Sequence, residues 1–215
     1  MTAAQLLLIA KAPVPGRVKT RLCPPCTPQQ AADIAAAALA DTVDVLTASP
    51  AARRVLVLDG RHPTPPGWST VPQRGDGLGP RLANAYADTA LPGVPSVLVG
   101  MDTPQLTPGM LAAATSALHD AQAVLGPAED GGWWLLALRD PAHGAVLTDV
   151  PMSTGDTAAH TIAALHRLRL RVTLLDTLRD VDTAADALAV AAQQPRGRFA
   201  AAVAAGLPDL DQVTR

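Results

Sequence analysis

Short apolar runs alternate with alanine-rich helical stretches along most of this chain. Gln5–Ala10 and Ser96–Met101, apolar after their first residue, read as buried strands. Arg54–Leu58 reads as a strand ending at Asp59-Gly60, and Trp68–Gln73 as a short one after a proline-rich loop over His62–Gly67. Ala121–Leu125 and Trp133–Arg139 read as two strands around the turn GPAEDGG, and Arg171–Leu175 as the last. Between them, Thr27-Pro28-Gln29-Gln30 carries a helix start, with Thr as N-cap, Pro at the first helical position and Gln at the third. That helix should run to about Thr47. Thr107-Pro108 opens another, to about His119. Gly79–Thr89, Thr157–Leu168 and Thr183–Ala192 complete the predicted helices, with a short one after Arg196.

Strands alternating with helices predict an α/β fold of three layers: a mostly parallel sheet with helices on both faces. No repeat, low-complexity tract or linker divides the sequence, so residues 1–215 are expected to form one domain. In such sheets ligands bind beyond the carboxyl ends of the strands. Chemically competent residues should therefore lie just after strands.

Composition narrows the class. Of 215 residues, 48% are hydrophobic, 17% charged and 2% aromatic, with a mean hydropathy of +0.18. This excludes a disordered chain and requires a core of Ala, Val, Leu and Ile. A net charge of -2 supplies no global field for nucleic acid or an anionic membrane. No apolar run approaches the roughly 20 residues that span a bilayer. The stretch MTAAQLLLIAK lacks a basic segment ahead of its apolar residues, so a cytoplasmic location is expected. Monomer and homodimer both stay open.

Positive charge is distributed unevenly. Lys11 and Lys19 are the two lysines, both inside KAPVPGRVKTRL, and every other cation is arginine. A loop after the first strand that holds Lys11, Arg17, Lys19 and Arg21 around Pro15 and Gly16 suits a polyphosphate. A solvated basic turn is the alternative. Gly75-Asp76-Gly77-Leu78-Gly79 opens a helix after a strand, so the amides near Gly75 and Gly79 can take an anion or a base edge.

Asp102 ends the strand SVLVGM. It serves either as a magnesium ligand facing phosphates or as an Asx-turn before Pro104, and its place on the sheet favours the metal. GPAEDGG holds Glu129, the one glutamate, with Asp130, Gly131 and Gly132. It reads either as an approach surface for a ligand or as a hairpin turn with solvated acids. Trp133 and Trp134 point to opposite faces of a strand, so one is core and the other can line a pocket. Asp180 and Asp182 share a face if extended and can bring a second carboxylate to a cation, while Asp186 suits the first turn of a helix. Cys23-Pro-Pro-Cys26 has no second cysteine pair for zinc and no thioredoxin-like context, so a structural role is expected, with a disulfide left open. The five histidines lack metal-ligand spacing, and neither a P-loop nor a dinucleotide fingerprint occurs.

Taken in order, KAPVPGRVKTRL, GDGLGPRL, GMDTP, GPAEDGGWWLLAL and DVDTAADAL resemble the GT-A-like nucleotide-diphospho-sugar transferase superfamily. The closer likeness is to a bacterial branch labelled glycosyltransferase, with molybdenum-cofactor and phospholactate guanylyltransferases as distant relatives. The resemblance runs from about residue 5 to about residue 190. It implies a GT-A-like, Rossmann-type fold, with Gly16, Arg17, Lys19 and Arg21 on the nucleotide phosphates. It implies Mg2+ (or Mn2+) on Asp102 with a second contact from Asp182, and an acceptor side at Asp130, Gly131 and Gly132. The chain departs from the branch at Trp133, where tyrosine is usual, and at Met152, where a tryptophan often precedes Ser-Thr.

Two enzymatic readings follow. In nucleotidyl transfer from an NTP to a phosphorylated small molecule, Lys19 and Arg21 hold the leaving group and Asp102 the metal. In glycosyl transfer from an NDP-sugar, the metal stabilises the departing diphosphate. The cation-rich loop favours the first. A nucleotide-binding protein without turnover is the third reading.

Overall fold

The computed structural model describes residues 3–207. Its centre is a seven-stranded sheet of order β3-β2-β1-β4-β6-β5-β7. The strands are β1 (Gln5–Lys11), β2 (Arg53–Asp59), β3 (Ser69–Pro72), β4 (Ser96–Gly100), β5 (Ala123–Pro127), β6 (Trp133–Leu138) and β7 (Val172–Leu174). All run parallel except β6, which is antiparallel to both β4 and β5. The predicted α/β class and layer order hold. Strand ends differ from the sequence reading by one or two residues; β1 and β2 are longer, because Lys11 and Asp59 still pair in the ladder.

The helices are α1 (Pro28–Ala48), α2 (Leu78–Thr89), α3 (Pro108–Ala117), α4 (Thr157–Arg167), α5 (Ala184–Gln193) and α6 (Arg198–Gly206). The predicted caps form. Thr27 and Gln30 close a capping box on α1, and Thr107 accepts from Met110 N–H on α3. Asp186 closes a box with Thr183 on α5, the structural role its position indicated. The sequence reading left residues 141–149 without an element; they form a 3-10 helix capped by Asp140. No apolar periodicity of 3.6 marks that segment, because its burial comes from packing on α2.

Apolar residues form a core on each side of the sheet. Leu6, Leu8, Leu56, Val97, Val99 and Leu135 face α1 and α3. Leu7, Val55, Val57, Leu98, Leu136 and Leu138 face α2 and α4. Each such fully buried side chain contributes about 1.5–3 kcal/mol of transfer free energy. α1 is buried on two sides, since Ile34 and Ala38 also meet α5 and α6 through Val190, Phe199 and Val203, with Leu22 of the preceding loop in the same cluster. Buried alanines at 31, 32, 35 and 38 let this long helix lie close to both neighbours. Cys26 packs in that outer cluster with its thiol directed at the Gly206 carbonyl, and both cysteines are free thiols. No helix of the described residues is long and apolar enough to cross a membrane.

One irregular segment shapes the carboxyl edge. After β7 the chain runs across the ends of β5 and β4 without forming a strand. Leu175 N–H donates to Leu125 carbonyl, Leu178 N–H to Pro127 carbonyl and Val181 N–H to Asp102 carbonyl. These bonds carry residues 180–182 to the end of β4.

Candidate active site at the carboxyl edge of the sheet

A hollow of about 450 Å³ lies over the carboxyl ends of β1, β4 and β5 and the start of β6. Its lining comes from the loop after β1, the end of β4, the β5–β6 turn, the segment at 152–157 and the run to Asp182. These are the places where parallel-sheet topology gathers side chains beyond strand ends.

On one side stand Lys11, Arg17, Lys19 and Arg21. Lys19 adopts φ 49°, a left-handed conformation that few non-glycine residues take. That turn sends its ammonium inward, to 2.5 Å from Asp102 Oδ1, and it also donates to the Val181 carbonyl. The Lys19 side chain is 8% exposed and that of Asp102 51%. Arg21 is open to solvent and pairs with Asp182. Lys11 and Arg17 have no carboxylate partner among the described residues.

On the other side stand Asp130, Gly132, Trp133, Trp134, Met152, Ser153, Thr154 and Asp180. Gly131 takes φ 87°, and a Cβ there would meet the Gly155 carbonyl oxygen at 1.8 Å. The close approach lets Gly131 carbonyl accept from Ala158 N–H at 2.9 Å, which ties the turn to α4. Asp130 Oδ1 accepts from Gly132 N–H at 2.7 Å. Both tryptophans line the hollow. Trp134 is buried over Gly126 and donates to the Asp176 carbonyl, and Trp133 donates to Thr161 Oγ1. Burial, with the charges of Asp130 and Asp102 adding to it, pushes the Asp180 carboxyl up to about 6, against the pull of its backbone hydrogen bond and of Lys19.

Several expected residues lie elsewhere. Gly79 is buried with its Cα against the Leu147 carbonyl, where a Cβ would approach to 2.4 Å, so its glycine serves the packing of α2. Gly75 accepts from Arg81 through its carbonyl and does not line the hollow. From that region Gln73 and Leu78 reach the hollow instead. Pro15 and Gly16 are exposed on the loop without lining it. Glu129 points away and accepts from Arg179 Nε at 2.7 Å. Thr103 was not anticipated. It is buried beside Asp102, lines the hollow, and its hydroxyl has no partner among the described residues. A Thr following the strand-ending acid is the signal that marks it.

The donor set suits a hard divalent cation. The carboxylates of Asp102 and Asp182 line the hollow with the unpartnered Thr103 hydroxyl, and the Lys19 ammonium already occupies a cation position against Asp102. Among the described residues no three acidic, His or Cys side chains are close enough to form a cage by themselves. An ion held there would rest on one or two carboxylates and leave its other positions open.

The sequence matches the model of a family described as an uncharacterized protein conserved in bacteria (DUF2064), over residues 29–154. The chain belongs to that family. No curated protein sequence matches it significantly. Among solved structures it is similar to a provisionally assigned nucleotide-diphospho-sugar transferase from Desulfovibrio desulfuricans G20, at 26% identity and a TM-score of 0.84, over 94% of each chain. It is similar in fold to Rv0371c of Mycobacterium tuberculosis H37Rv in complex with manganese, at 24% identity and TM-score 0.56, over 88% of this chain and 98% of that one. It is similar in fold to a CMP:2-keto-3-deoxy-manno-octonic acid synthetase complexed with CTP, at 10% identity and TM-score 0.56, over 90% and 99%. These likenesses place this family member among proteins of the GT-A-like nucleotidyl and glycosyl transferase fold.

Proposed function

We propose that the protein transfers a glycosyl group from a nucleoside-diphosphate sugar to a hydroxyl acceptor, with a divalent cation. The observation that carries this reading is the meeting of the loop cations with Asp102, Asp180 and Asp182 in one hollow. The resemblance to the Desulfovibrio protein over nearly the whole chain supports it.

In this reading Lys11 and Arg17, which lack carboxylate partners among the described residues, hold the diphosphate with Arg21. Asp102 and Asp182 hold the cation, which would neutralise charge on the departing diphosphate. The acceptor oxygen bonds to the anomeric carbon, the bond from that carbon to the diphosphate oxygen breaks, and its electron pair leaves with the nucleoside diphosphate. Asp130 and Asp180, on the acceptor side, receive the hydroxyl proton. No protein nucleophile is needed.

Nucleotidyl transfer from an NTP is a second reading, and the loop's four cations favour it. If Lys19 and Arg21 exchange their aspartates for phosphate, the loop can neutralise a triphosphate. One assay separates the two. The protein is given Mn2+ with either NDP-sugars and neutral sugars or NTPs and sugar phosphates. Release of nucleoside diphosphate supports glycosyl transfer; pyrophosphate from the NTPs alone would replace it with the second reading.

A further inference from the structure

The hollow is electrically divided. Every lysine and arginine that lines it comes from Lys11 and the 17–21 stretch, and no histidine lines it. The far half carries Asp130 and Asp180, and the one cation near Asp180, Lys19, is already bonded to Asp102 and the Val181 carbonyl. Arg179, the cation beside Asp180 in sequence, is spent on Glu129 and does not line the hollow. A phosphate or carboxylate on the acceptor would therefore lie against two acids, and the like charges would repel.

What that half does offer is specific. Asp130 has one oxygen committed to Gly132 N–H, and the other has no partner among the described residues. The Trp133 indole N–H is occupied by Thr161, so its half-buried ring has only apolar surface to present. Met152, Ser153 and Thr154 border it, with Ser153 held at φ 58°. At the junction with the cationic half, the buried Thr103 hydroxyl has no partner. An apolar ring face beside carboxylates suits a molecule with C–H on one side and hydroxyl donors at its rim.

We infer that the acceptor is an uncharged polyhydroxylated ring of carbohydrate type, and that the site selects against phosphorylated or carboxylated acceptors. This rests on the transferase reading for its catalytic meaning, and it can be tested by binding alone. The probes are methyl glycosides of glucose, galactose, mannose and N-acetylglucosamine, with glucose 6-phosphate, mannose 6-phosphate and glucuronate as charged counterparts. Each is titrated into protein saturated with UDP, GDP or CDP plus Mn2+, and binding is read by saturation-transfer NMR and calorimetry.

At least one neutral glycoside should bind at least tenfold more tightly than its charged counterpart. Raising KCl from about 0.02 M to about 0.5 M should narrow that gap, because salt screens the repulsion. Asp130→Asn keeps an oxygen for Gly132 N–H, and it should strengthen binding of the charged counterpart at least fivefold. A charged member that binds more tightly than its neutral twin overturns the inference, as does a protein that binds nucleotide but no neutral member. A protein that binds no nucleotide instead removes the donor reading, and neutral-over-charged selection by the protein with Mn2+ alone still decides the acceptor class.

Discussion

Lys19 Nζ lies 2.5 Å from Asp102 Oδ1, so the acid best placed to hold a metal ion already holds a cation belonging to the chain. The ammonium is almost fully enclosed, whereas the carboxylate is half open to solvent. On the proposed reading, a divalent ion at Asp102 competes with the ammonium, and nucleotide phosphate would be its new partner. Metal and nucleotide binding would then be coupled, each opening the position the other needs.

Lys19→Met removes the charge and keeps the length. It should bind Mn2+ alone about tenfold more tightly than the parent and bind nucleotide about tenfold more weakly, roughly 1.4 kcal/mol each way. Calorimetry with Mn2+ alone and then with UDP alone checks both. Unchanged Mn2+ affinity would remove the competition.

Asp180 gives a pH signature. Its carboxyl sits at about 6 in the folded protein, above the ordinary aspartate value of 3.8, through burial and the charges of Asp130 and Asp102. The native state then holds more protons than the unfolded chain between those values, so stability falls as pH rises through that window. Lys19, which faces the same group, moderates the effect. Asp180→Asn should flatten the urea-unfolding free energy between pH 4 and about 6.5 relative to the parent. A mutant with the parent's slope would place the titration elsewhere.

The fold was legible because its signals are local. Unbroken apolar runs such as LLLIA mark strands covered on both faces, and Thr-Pro starts mark α1 and α3. That the basic loop and Asp102 would meet at one edge of the sheet was legible through their places after strands. The pairing of Lys19 with Asp102 was not, because it joins residues 83 positions apart through a backbone turn at φ 49°. Gly79 looked like an anion site, but the property that decides its role is the nearness of the Leu147 carbonyl. Asp180 owes its importance to three backbone bonds that lay residues 175–181 across the strand ends, and no periodicity announces them.

Gly131→Ala should be severe. The new methyl would need to occupy space 1.8 Å from the Gly155 oxygen at a φ of 87°. Relief requires moving the start of α4 or breaking the Ala158–Gly131 hydrogen bond. A loss of about 2–4 kcal/mol in chemical denaturation is expected, with weakened acceptor binding in whatever folds. The same substitution at Gly16, which has φ 75° but open space around it, should cost about 1 kcal/mol.

Tyr86→Phe tests the packing beneath the site. The phenol is fully buried and donates to the Leu136 carbonyl at 2.7 Å, and Gly144 lies against its ring. Removing the hydroxyl should lower stability by about 1–2 kcal/mol and leave nucleotide affinity unchanged. Denaturation and a nucleotide titration on the same sample check both halves.

The reversed direction of β6 has a functional corollary. Because that strand starts at the edge where its parallel neighbours finish, a single five-residue hairpin bend delivers one wall of the reaction chamber. On the proposed reading, changes confined to that bend would alter the choice of recipient and leave the loop after β1, which would anchor the activated donor, untouched.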